Sequence, residues 1–282
     1  MVNKFGNIQN FLGCDSSYAD SKIVVFGAGY DGTTSNKPGT RFAPSAMRQE
    51  SYGLETYSPY LDKDIGDYNI YDAGDLELYG NPDRVLNMVE NVSNSILSDS
   101  KIPIMIGGEH LLSFGMAKAI SKKYPDFNIV HFDAHTDLRD SYMQERLSHA
   151  TVIRRCYELL DSGKIYQFGI RSGTKEEFEW AKNNIEFNPF NLNNIEKILE
   201  LKEKPVYLTI DLDILDSGIF PGTGTPEAGG VSFLELINSF KYISKLNIIA
   251  ADIVELAPNY DISNASTAIA CKILRELLLS IA

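Results

Sequence analysis

The sequence predicts a three-layer α/β/α fold, in which helices cover both faces of a mainly parallel β-sheet. Short apolar segments that end in Gly, Asp or Glu alternate with longer segments of helical periodicity. Most of the apolar segments show no polar–apolar alternation, which is typical of strands covered on both faces. Strands and helices that alternate in this way form parallel sheets through right-handed crossovers.

The apolar segments predict strands, and the longer segments predict helices. In chain order, we expect strands at residues 23–26, 102–106, 128–132, 165–169, 206–210 and 248–254. We expect helices at residues 82–97, 111–123, 151–160, 174–182, 192–201, 232–243 and 263–279. Because no repeat, low-complexity tract or linker interrupts the chain from Ile102 onwards, residues 1–282 are expected to form a single domain.

The composition excludes several classes of protein. The 282 residues are 44% hydrophobic and 23% charged, an ordinary globular balance that can bury a sizeable core. The formal net charge of −12, without any basic stretch, argues against a nucleic-acid partner and is compatible with a small cationic substrate.

The chain gives no sign of a membrane or secretory destination. No stretch approaches the length of a membrane span, and residues 1–17 lack a charged segment followed by an apolar one. Three scattered cysteines, Cys14, Cys156 and Cys271, are typical of free thiols in a reducing compartment. We therefore expect a cytoplasmic protein.

Acidic and histidine residues follow four of the predicted strands. In parallel sheets, ligands bind beyond the carboxyl ends of the strands, so these residues are candidates for function. The four segments are Gly107-Gly108-Glu109-His110, Asp133-Ala134-His135-Thr136-Asp137, Asp211-Leu212-Asp213 and Glu255.

The spacing of these acids points to a metal centre. In extended chain, side chains two residues apart point the same way, as Asp133, His135 and Asp137 would, and likewise Asp211 and Asp213. Converging carboxylates repel each other, and two divalent cations would neutralise them. A set rich in carboxylates with few imidazoles suits Mn²⁺ better than Zn²⁺.

Each of these signals taken alone has a simpler explanation. A single Asp-x-Asp pair is commonly a solvated turn, and a lone histidine is commonly a buried core residue. Here, however, all of the chain's four histidines fall within residues 110–149, and two of them stand beside acids at strand ends. His131 is the exception, because it lies inside a strand in phase with Asp133, so we expect it to be buried rather than a ligand.

Residues 27–32 match the dinucleotide-binding pattern G-x-G-x-x-G, but only superficially. A nucleotide site requires a helix that begins there and points its N-terminus at the phosphates. The chain continues instead as Thr33-Thr34-Ser35-Asn36-Lys37-Pro38-Gly39, which cannot be helical. We expect no nucleotide at this position.

Taken together, these motifs resemble the ureohydrolase (arginase/agmatinase) family, and specifically its agmatinase branch. The resemblance runs from about residue 23 to residue 261. It rests on the motifs at residues 107–110, 131–139, 148–151, 209–216, 221–230 and 254–258.

The resemblance implies a dimanganese centre that activates a metal-bridging hydroxide. One Mn²⁺ would be held by His110, Asp133, Asp137 and Asp211. The other would be held by Asp133, His135, Asp211 and Asp213, so that Asp133 and Asp211 bridge the pair. A guanidinium carbon is a poor electrophile, and such a hydroxide is a nucleophile strong enough to attack it.

Three residues acquire catalytic or substrate-binding roles through the resemblance. Glu255 would bind and orient the substrate guanidinium by a charge-assisted contact. Asp137 would pass a proton to the departing amine, and His149 would contact the substrate region and shuttle protons to bulk water. Simpler interpretations stay open, namely a capping acid for Glu255 and a helix residue without a catalytic duty for His149.

The expected reaction is hydrolysis of agmatine to urea and putrescine. The segment after the second metal motif, residues 138–149, is similar to that of agmatinases rather than to the Ser/Asn-rich loop of arginases. Arginase, guanidinobutyrase and formimidoylglutamase activities remain alternatives because those enzymes share the metal motifs. Arg139 or Arg146 could hold a carboxylate tail, although solvated or intersubunit charges are the simpler and favoured explanation.

A catalytically silent, metal-binding relative is a further alternative, but such proteins usually lose a ligand or the equivalent of Glu255. The single-metal deacetylases are another, although their sites have fewer carboxylates. The resemblance also implies a homo-oligomer, either a trimer or a hexamer.

Overall fold

The computed structural model describes residues 10–282 and is built around one eight-stranded sheet. The expectation about the start of the chain lies partly outside this range, since residues 1–9 are not described. The strands are β1 (Ile23–Ala28), β2 (Tyr57–Ser58), β3 (Lys63–Asp64), β4 (Ile70–Asp75), β5 (Ile102–Gly107), β6 (Asn128–Phe132), β7 (Ile165–Phe168), β8 (Glu186–Asn188), β9 (Pro205–Asp211) and β10 (Asn247–Val254). The sheet has the order β4-β1-β5-β10-β9-β6-β7-β8, whereas β2 and β3 form a separate antiparallel hairpin.

Every pairing within the large sheet is parallel, and helices cover both of its faces. The α-helices are α1 (Ala43–Ser51), α2 (Pro82–Ser98), α3 (Leu112–Lys123), α4 (Val152–Tyr157), α5 (Lys175–Asn184), α6 (Phe233–Ile243) and α7 (Ala265–Ile281). Short 3-10 helices lie at Thr40–Phe42, Ile65–Asp67, His149–Thr151, Ile195–Leu201, Leu212–Ile214 and Pro258–Tyr260.

The hydrophobic core has two halves, one on each side of the sheet. Ile23 and Val25 of β1 belong to the half that also contains the buried faces of α1, α6 and α7. Val24 and Phe26 belong to the half that contains those of α2, α3, α4 and α5. Successive strand residues therefore alternate between two buried layers, which is why the strands read as continuous apolar segments. The predicted three-layer α/β/α fold is confirmed.

The sequence prediction missed the peripheral elements. Strand β4 and the three-residue strand β8 lie at the two edges of the sheet, and α1 and the β2–β3 hairpin were not expected either. In β4, buried and exposed residues alternate, and the strand contains two aspartates and a glycine. Such a polar edge strand lacks the continuous apolar signal that identified the central strands.

Two predicted helices were wrong in type or length. The helix expected at 192–201 is a 3-10 helix at Ile195–Leu201, preceded by Asn194 in the left-handed conformation (φ 62°). The helix expected at 151–160 begins as the 3-10 turn His149–Thr151 and continues as α4 for only six residues. By contrast, Thr174 and Ser232 cap α5 and α6, within one residue of the predicted starts.

Between residues 10 and 282, no helix combines the length and the apolar character needed to cross a membrane.

A buried ion pair fixes the β4 edge of the sheet. Arg48 of α1 donates two hydrogen bonds to the Asp72 carboxylate, from Nε to Oδ2 at 2.7 Å and from Nη2 to Oδ1 at 2.9 Å. Asp72 also accepts the backbone N–H of Phe11 at 2.8 Å and that of Gly74 at 2.9 Å. Because both side chains are buried, neither charge can be satisfied by water if its partner is removed.

We expect Arg48→Met to lower the free energy of unfolding by about 3–5 kcal/mol, because it leaves the Asp72 carboxylate buried without its cation. Equilibrium unfolding in urea measures this loss. Lys182→Met is the matched control, since Lys182 is an exposed cation of α5 and should change stability by less than about 0.5 kcal/mol. Equal losses in the two variants would contradict the prediction.

Candidate metal centre

The carboxyl ends of four neighbouring strands carry the candidate residues. Strands β5, β10, β9 and β6 are adjacent in the middle of the sheet. The residues that follow them are His110 after β5, Glu255 after β10, Asp211 and Asp213 at the end of β9, and Asp133, His135 and Asp137 after β6. The predicted grouping at one edge of the sheet is therefore what the fold produces.

His110 lies among three carboxylates. Its Nδ1 atom is 3.1 Å from Oδ2 of Asp133, 3.1 Å from Oδ2 of Asp137 and 3.3 Å from Oδ2 of Asp211. Within the described part of the chain, this buried Nδ1 makes no hydrogen bond of acceptable geometry. An imidazole nitrogen and three carboxylate oxygens thus surround one point without pairing among themselves.

A buried hydroxyl orients the His110 ring from behind. Thr209 Oγ1 lies 3.0 Å from His110 Nε2 and 2.7 Å from Oδ1 of the buried Asp252. The hydroxyl donates its hydrogen to the carboxylate, so it accepts the Nε2–H of His110. The Nδ1 lone pair is then free to face the three acids.

His135 and Asp213 form the other part of the cluster. His135 Nδ1 lies 2.9 Å from Oδ2 of Asp213 and 3.5 Å from Oδ1 of Asp133. Asp213 Oδ1 accepts the backbone N–H of Ala134 at 3.1 Å, which ties the loop after β9 to the loop after β6. These three side chains have the arrangement of a second group that could hold a cation.

His131 is completely buried, as expected from its phase in the strand. The amide nitrogen of Gln167 donates to His131 Nδ1 at 3.0 Å, so the proton of the ring lies on Nε2. That Nε2 donates to Oδ2 of Asp133 at 2.8 Å. His131 therefore orients a candidate ligand by a hydrogen bond and has no free lone pair of its own.

Two candidate residues have a strained backbone. Asp137 and Glu255 adopt positive φ angles of 53° and 65°, in the left-handed region that non-glycine residues seldom occupy. Glu255 Oε1 accepts the backbone N–H of His110 at 2.7 Å. Strain of this kind persists where surrounding contacts over-determine the conformation, and it clusters at functional sites.

The crowding of acids shifts their protonation. Burial, together with the charge of Asp133, raises the pKa of Asp137 to about 7. Burial raises the pKa of Glu255 to about 8. Burial and the charge of Asp213 also raise the pKa of Asp211 well above its usual value. Without cations, the site resists full ionisation of its carboxylates.

The residues present fit divalent cations. Four aspartates and two histidines converge, His110 Nδ1 has no hydrogen-bond partner in the described structure, and the carboxylates are too close together to ionise unaided. A donor set dominated by carboxylate oxygens suits a hard or intermediate divalent cation such as Mn²⁺. The chemistry of the site therefore calls for positive charge at its centre.

His149 stands at the mouth of the site. Its ring lies 3.3 Å from Ser35 Oγ through Nε2 and 3.3 Å from Ser148 Oγ through Nδ1. Its backbone N–H donates to Thr33 Oγ1 at 3.1 Å. Burial lowers the pKa of His149 to about 4, so the imidazole is neutral at pH 7.

A cavity of about 290 Å³ opens onto the cluster. Glu255, Asp137 and His149 all line it, as do Arg139 and Tyr142. The two arginines left open by the sequence differ in position. Arg139 reaches Glu177 Oε2 at 3.3 Å and lies 4.7 Å from the Tyr142 ring centroid. Arg146 instead belongs to a surface ion pair with Glu158 at 3.2 Å.

Sequence reasoning placed Glu109 in a candidate segment but assigned it no role in the site. Glu109 accepts hydrogen bonds from the backbone N–H of Thr33 at 2.8 Å and from its hydroxyl at 2.7 Å. This buried acid thereby anchors the loop at residues 29–39 that brings Ser35 to His149. The superficial dinucleotide pattern at residues 27–32 leads into that loop, and it lies beside the Gly-Gly-Glu motif only because β1 pairs with β5 in the folded sheet.

This fold and its carboxylate-rich site define a member of the arginase family, and a model of that family matches residues 21–280. The chain belongs to the arginase family, which confirms the resemblance seen in the motifs. It is 49% identical over 279 residues to the agmatinase of Bacillus subtilis (strain 168), with 95% of each chain covered. It is 47% identical over 276 residues to the agmatinase of Bacillus cereus, again with 95% of each chain covered.

A solved structure has the same fold. The agmatine ureohydrolase of Thermoplasma volcanium superposes with a TM-score of 0.89 at 34% sequence identity, covering 98% of this chain and 95% of that one. The similarity to agmatinases confirms the agmatinase branch expected from the motifs.

We expect Mn²⁺ to stabilise the metal-stripped protein, because a cation relieves the repulsion among the buried carboxylates. At a hundredfold excess of cation over Kd, the free energy of unfolding should rise by about 2.7 kcal/mol per site. Asp133→Asn should abolish most of the rise, since Asp133 faces both His110 and His135. Urea unfolding with and without Mn²⁺, together with bound metal counted per chain, measures both effects.

The control for this titration is Asp126→Asn, which removes an exposed carboxylate outside the cluster. It should leave the stabilisation by Mn²⁺ unchanged. No stabilisation of the unsubstituted protein, or the same loss in both variants, would contradict the prediction.

Proposed function

We propose that the protein hydrolyses agmatine to urea and putrescine. The observation that carries the proposal is the convergence of two histidines, four aspartates and Glu255 at the ends of four adjacent strands, beside a cavity that Asp137, Asp211 and Glu255 help to line. Near-full-length similarity to agmatinases selects agmatine among guanidino compounds. The net charge of −12 agrees with a cationic substrate.

The proposed centre holds two Mn²⁺ ions per chain. The first set is His110, Asp133, Asp137 and Asp211, and the second set is Asp133, His135, Asp211 and Asp213. The distances of 3.1–3.3 Å around His110 Nδ1 support the first set. The pairing of His135 with Asp213 supports the second. Divalent cations held by these residues would neutralise the carboxylates and would supply the activation of water as a nucleophile near neutral pH.

Glu255 is proposed to orient the substrate. Its Oε1 is occupied by the His110 backbone N–H, which fixes the side chain and leaves Oε2 for the guanidinium. A carboxylate bound to guanidinium makes a charge-assisted contact, and it places the electrophilic carbon at a defined distance from the attacking oxygen. Glu255 has a positive φ, and it lines the cavity.

Proton transfer is proposed to involve Asp137 and His149. Addition of water to the guanidinium carbon is followed by cleavage of the carbon–nitrogen bond to the alkyl chain, and the departing amine takes up a proton. Asp137 lines the cavity and supplies this proton. His149, neutral at pH 7 and at the cavity mouth, carries protons between the site and bulk water.

Three further properties form part of the proposal, of which the oligomeric state rests on the family resemblance and the other two on the sequence itself. Residues 1–282 form a single domain, the chain assembles as a homo-oligomer, either a trimer or a hexamer, and the protein works in the cytoplasm. Cys14, Cys156 and Cys271 are all free and buried, which agrees with a reducing compartment.

A second candidate substrate class is a guanidino acid such as guanidinobutyrate. Arg139 lines the cavity and is the specific observation that favours it, since a guanidinium binds carboxylates well. Its charge is already engaged, however, by Glu177 and by the face of Tyr142. Arg146 lies in its surface ion pair and does not line this cavity.

Urea release by the Mn²⁺-loaded protein should be fastest with agmatine, compared with arginine, guanidinobutyrate and guanidinopropionate, and with formamide release from formiminoglutamate. Glu255→Gln should lower kcat/KM for agmatine about 10- to 150-fold, because a hydrogen bond to a charged group contributes about 1.5–3 kcal/mol. Glu203→Gln, at an exposed position, is the matched control. Two bound metals without turnover of any of these substrates would refute the proposed activity.

Arg139→Met should change kcat/KM for agmatine by no more than about fivefold, since the guanidinium is half-buried at the cavity and the buried Glu177 keeps its hydrogen bonds from Thr136 and Leu138. The comparison is made with Arg146→Met, whose guanidinium lies outside the cavity. Steady-state kinetics with agmatine and guanidinobutyrate distinguish the two candidates. Preferred turnover of guanidinobutyrate that Arg139→Met abolishes would assign Arg139 to a carboxylate tail.

A further inference from the structure

Residues 169–172, which follow β7, form a bridging segment between the two loops that carry the acids. The backbone N–H groups of Arg171 and Ser172 both donate to Ala134 O, at 2.7 and 2.9 Å. Ser172 O accepts the N–H of Thr136 at 3.1 Å. The segment therefore runs alongside the loop at residues 133–137 and holds its backbone on one side.

The start of the bridging segment is packed too closely for a side chain. Gly169 has a φ of +87°, and a Cβ atom there would lie 2.7 Å from Ile214 Cγ1 and 2.9 Å from Asp133 O. Only glycine allows both the conformation and this approach. The loops after β6 and β9 thus meet the bridging segment at van der Waals distance.

The Arg171 guanidinium binds the other loop entirely through backbone carbonyl groups. Its Nη2 donates to Asp213 O at 2.8 Å, to Glu227 O at 2.9 Å and to Leu215 O at 3.3 Å. The remaining contacts are from Nη1 to Ile214 O at 3.2 Å and to Gly169 O at 3.4 Å, and from Nε to Ala228 O at 3.1 Å. One side chain therefore joins residues 213–215 to residues 227–228.

A lysine could not replace arginine in this arrangement. Guanidinium presents five N–H donors in a rigid plane, whereas the ammonium group of lysine has three donors around one point. Within the described residues, Arg171 forms no ion pair with a carboxylate, and its guanidinium donates only to the carbonyl oxygens of residues 213–215 and 227–228 and of Gly169. The contacts hold the backbone that bears Asp213.

The bridging segment also reaches the far side of His135. Ser172 Oγ donates to Glu227 Oε1 at 2.9 Å, and this oxygen lies 3.8 Å from His135 Nε2. Arg171 binds the carbonyl of the same glutamate. Two of the four proposed ligands of the second cation, His135 and Asp213, are thus held through residues 171–172.

The His110 side of the centre is held by different groups. Thr209 and Asp252 orient the His110 ring, and Glu255 accepts its backbone N–H. None of the Arg171 contacts reaches these residues. The supports are therefore largely separate, and they meet where the backbone N–H of Asp213 donates to Oδ1 of Asp211 at 2.9 Å.

We propose that Arg171 is a positioning residue for one half of the metal centre. Through the carbonyl groups of residues 213–215 and 227–228, it holds Asp213 against His135 and sets the affinity of the cation between them. The cation beside His110 depends on it less, because Arg171 reaches that half only through the hydrogen bond from Asp213 N–H to Asp211. This inference rests on the proposed two-cation centre. It predicts that the affinities for the two cations depend unequally on Arg171, a residue that contacts neither cation.

The test compares Mn²⁺ binding to the full-length protein and to Arg171→Lys, which keeps the charge but loses the planar donors. The unsubstituted protein should bind two Mn²⁺ per chain. Arg171→Lys should keep one tight ion and bind the second about 10- to 100-fold more weakly, as expected when a group that orients a ligand is lost. In EPR, the signal of an isolated Mn²⁺ ion should replace that of a coupled pair, and excess Mn²⁺ should restore both the pair and urea release.

Arg48→Lys is the matched control, because Arg48 is also a multiply bonded arginine but supports the β4 edge. It should lower the stability of the metal-free protein and leave both Mn²⁺ affinities unchanged. Two tight ions in Arg171→Lys, or equal weakening of both ions, would overturn the inference. If the unsubstituted protein binds fewer than two ions, the proposed centre itself fails, and the inference fails with it.

Discussion

The repulsion among four buried aspartates is the constraint on which the rest of the site depends. The topology places the ends of β5, β10, β9 and β6 side by side, so their acids meet in a volume from which water is largely excluded. Like charges at this distance cannot all ionise unaided, and the raised pKa of Asp137, at about 7, expresses that conflict. Divalent cations relieve the repulsion. A site that binds such cations can also polarise a water molecule next to a bound guanidinium.

The protein keeps this unfavourable cluster in place by surrounding it with satisfied polar groups. His131 is fixed by Gln167 and in turn fixes Asp133, while Thr209 and Asp252 fix His110. Such networks hold ligands in the geometry that a cation requires before it arrives. The left-handed backbone of Asp137 and Glu255 carries a further energetic cost that the surrounding sheet must offset.

How much of the fold could be predicted depended on burial. Strands β5, β6, β9 and β10 are covered on both faces, so their apolar composition identified them from the sequence within one or two residues. Strands β4 and β8 lie at the edges, where half of the residues meet solvent and the apolar signal disappears. Central strands carry the candidate ligands, which is why the edge of the sheet that bears the site was predictable although the outer strands were missed.

In the site, residues close together in the sequence could be predicted, whereas contacts between distant residues could not. Asp211 and Asp213 lie two residues apart, so strand periodicity alone predicts that their side chains point together, and the family motifs named the ligand set. Arg171 lies 42 to 57 residues from the loop carbonyls it binds, and Thr209 of β9 meets His110 after β5 across the intervening strand β10. No spacing rule relates such residues, because their contacts exist only once the sheet has formed. Candidate metal ligands can be found from local sequence patterns. The residues that hold those ligands in place, and so set the affinity for each cation, can be identified only in the folded protein.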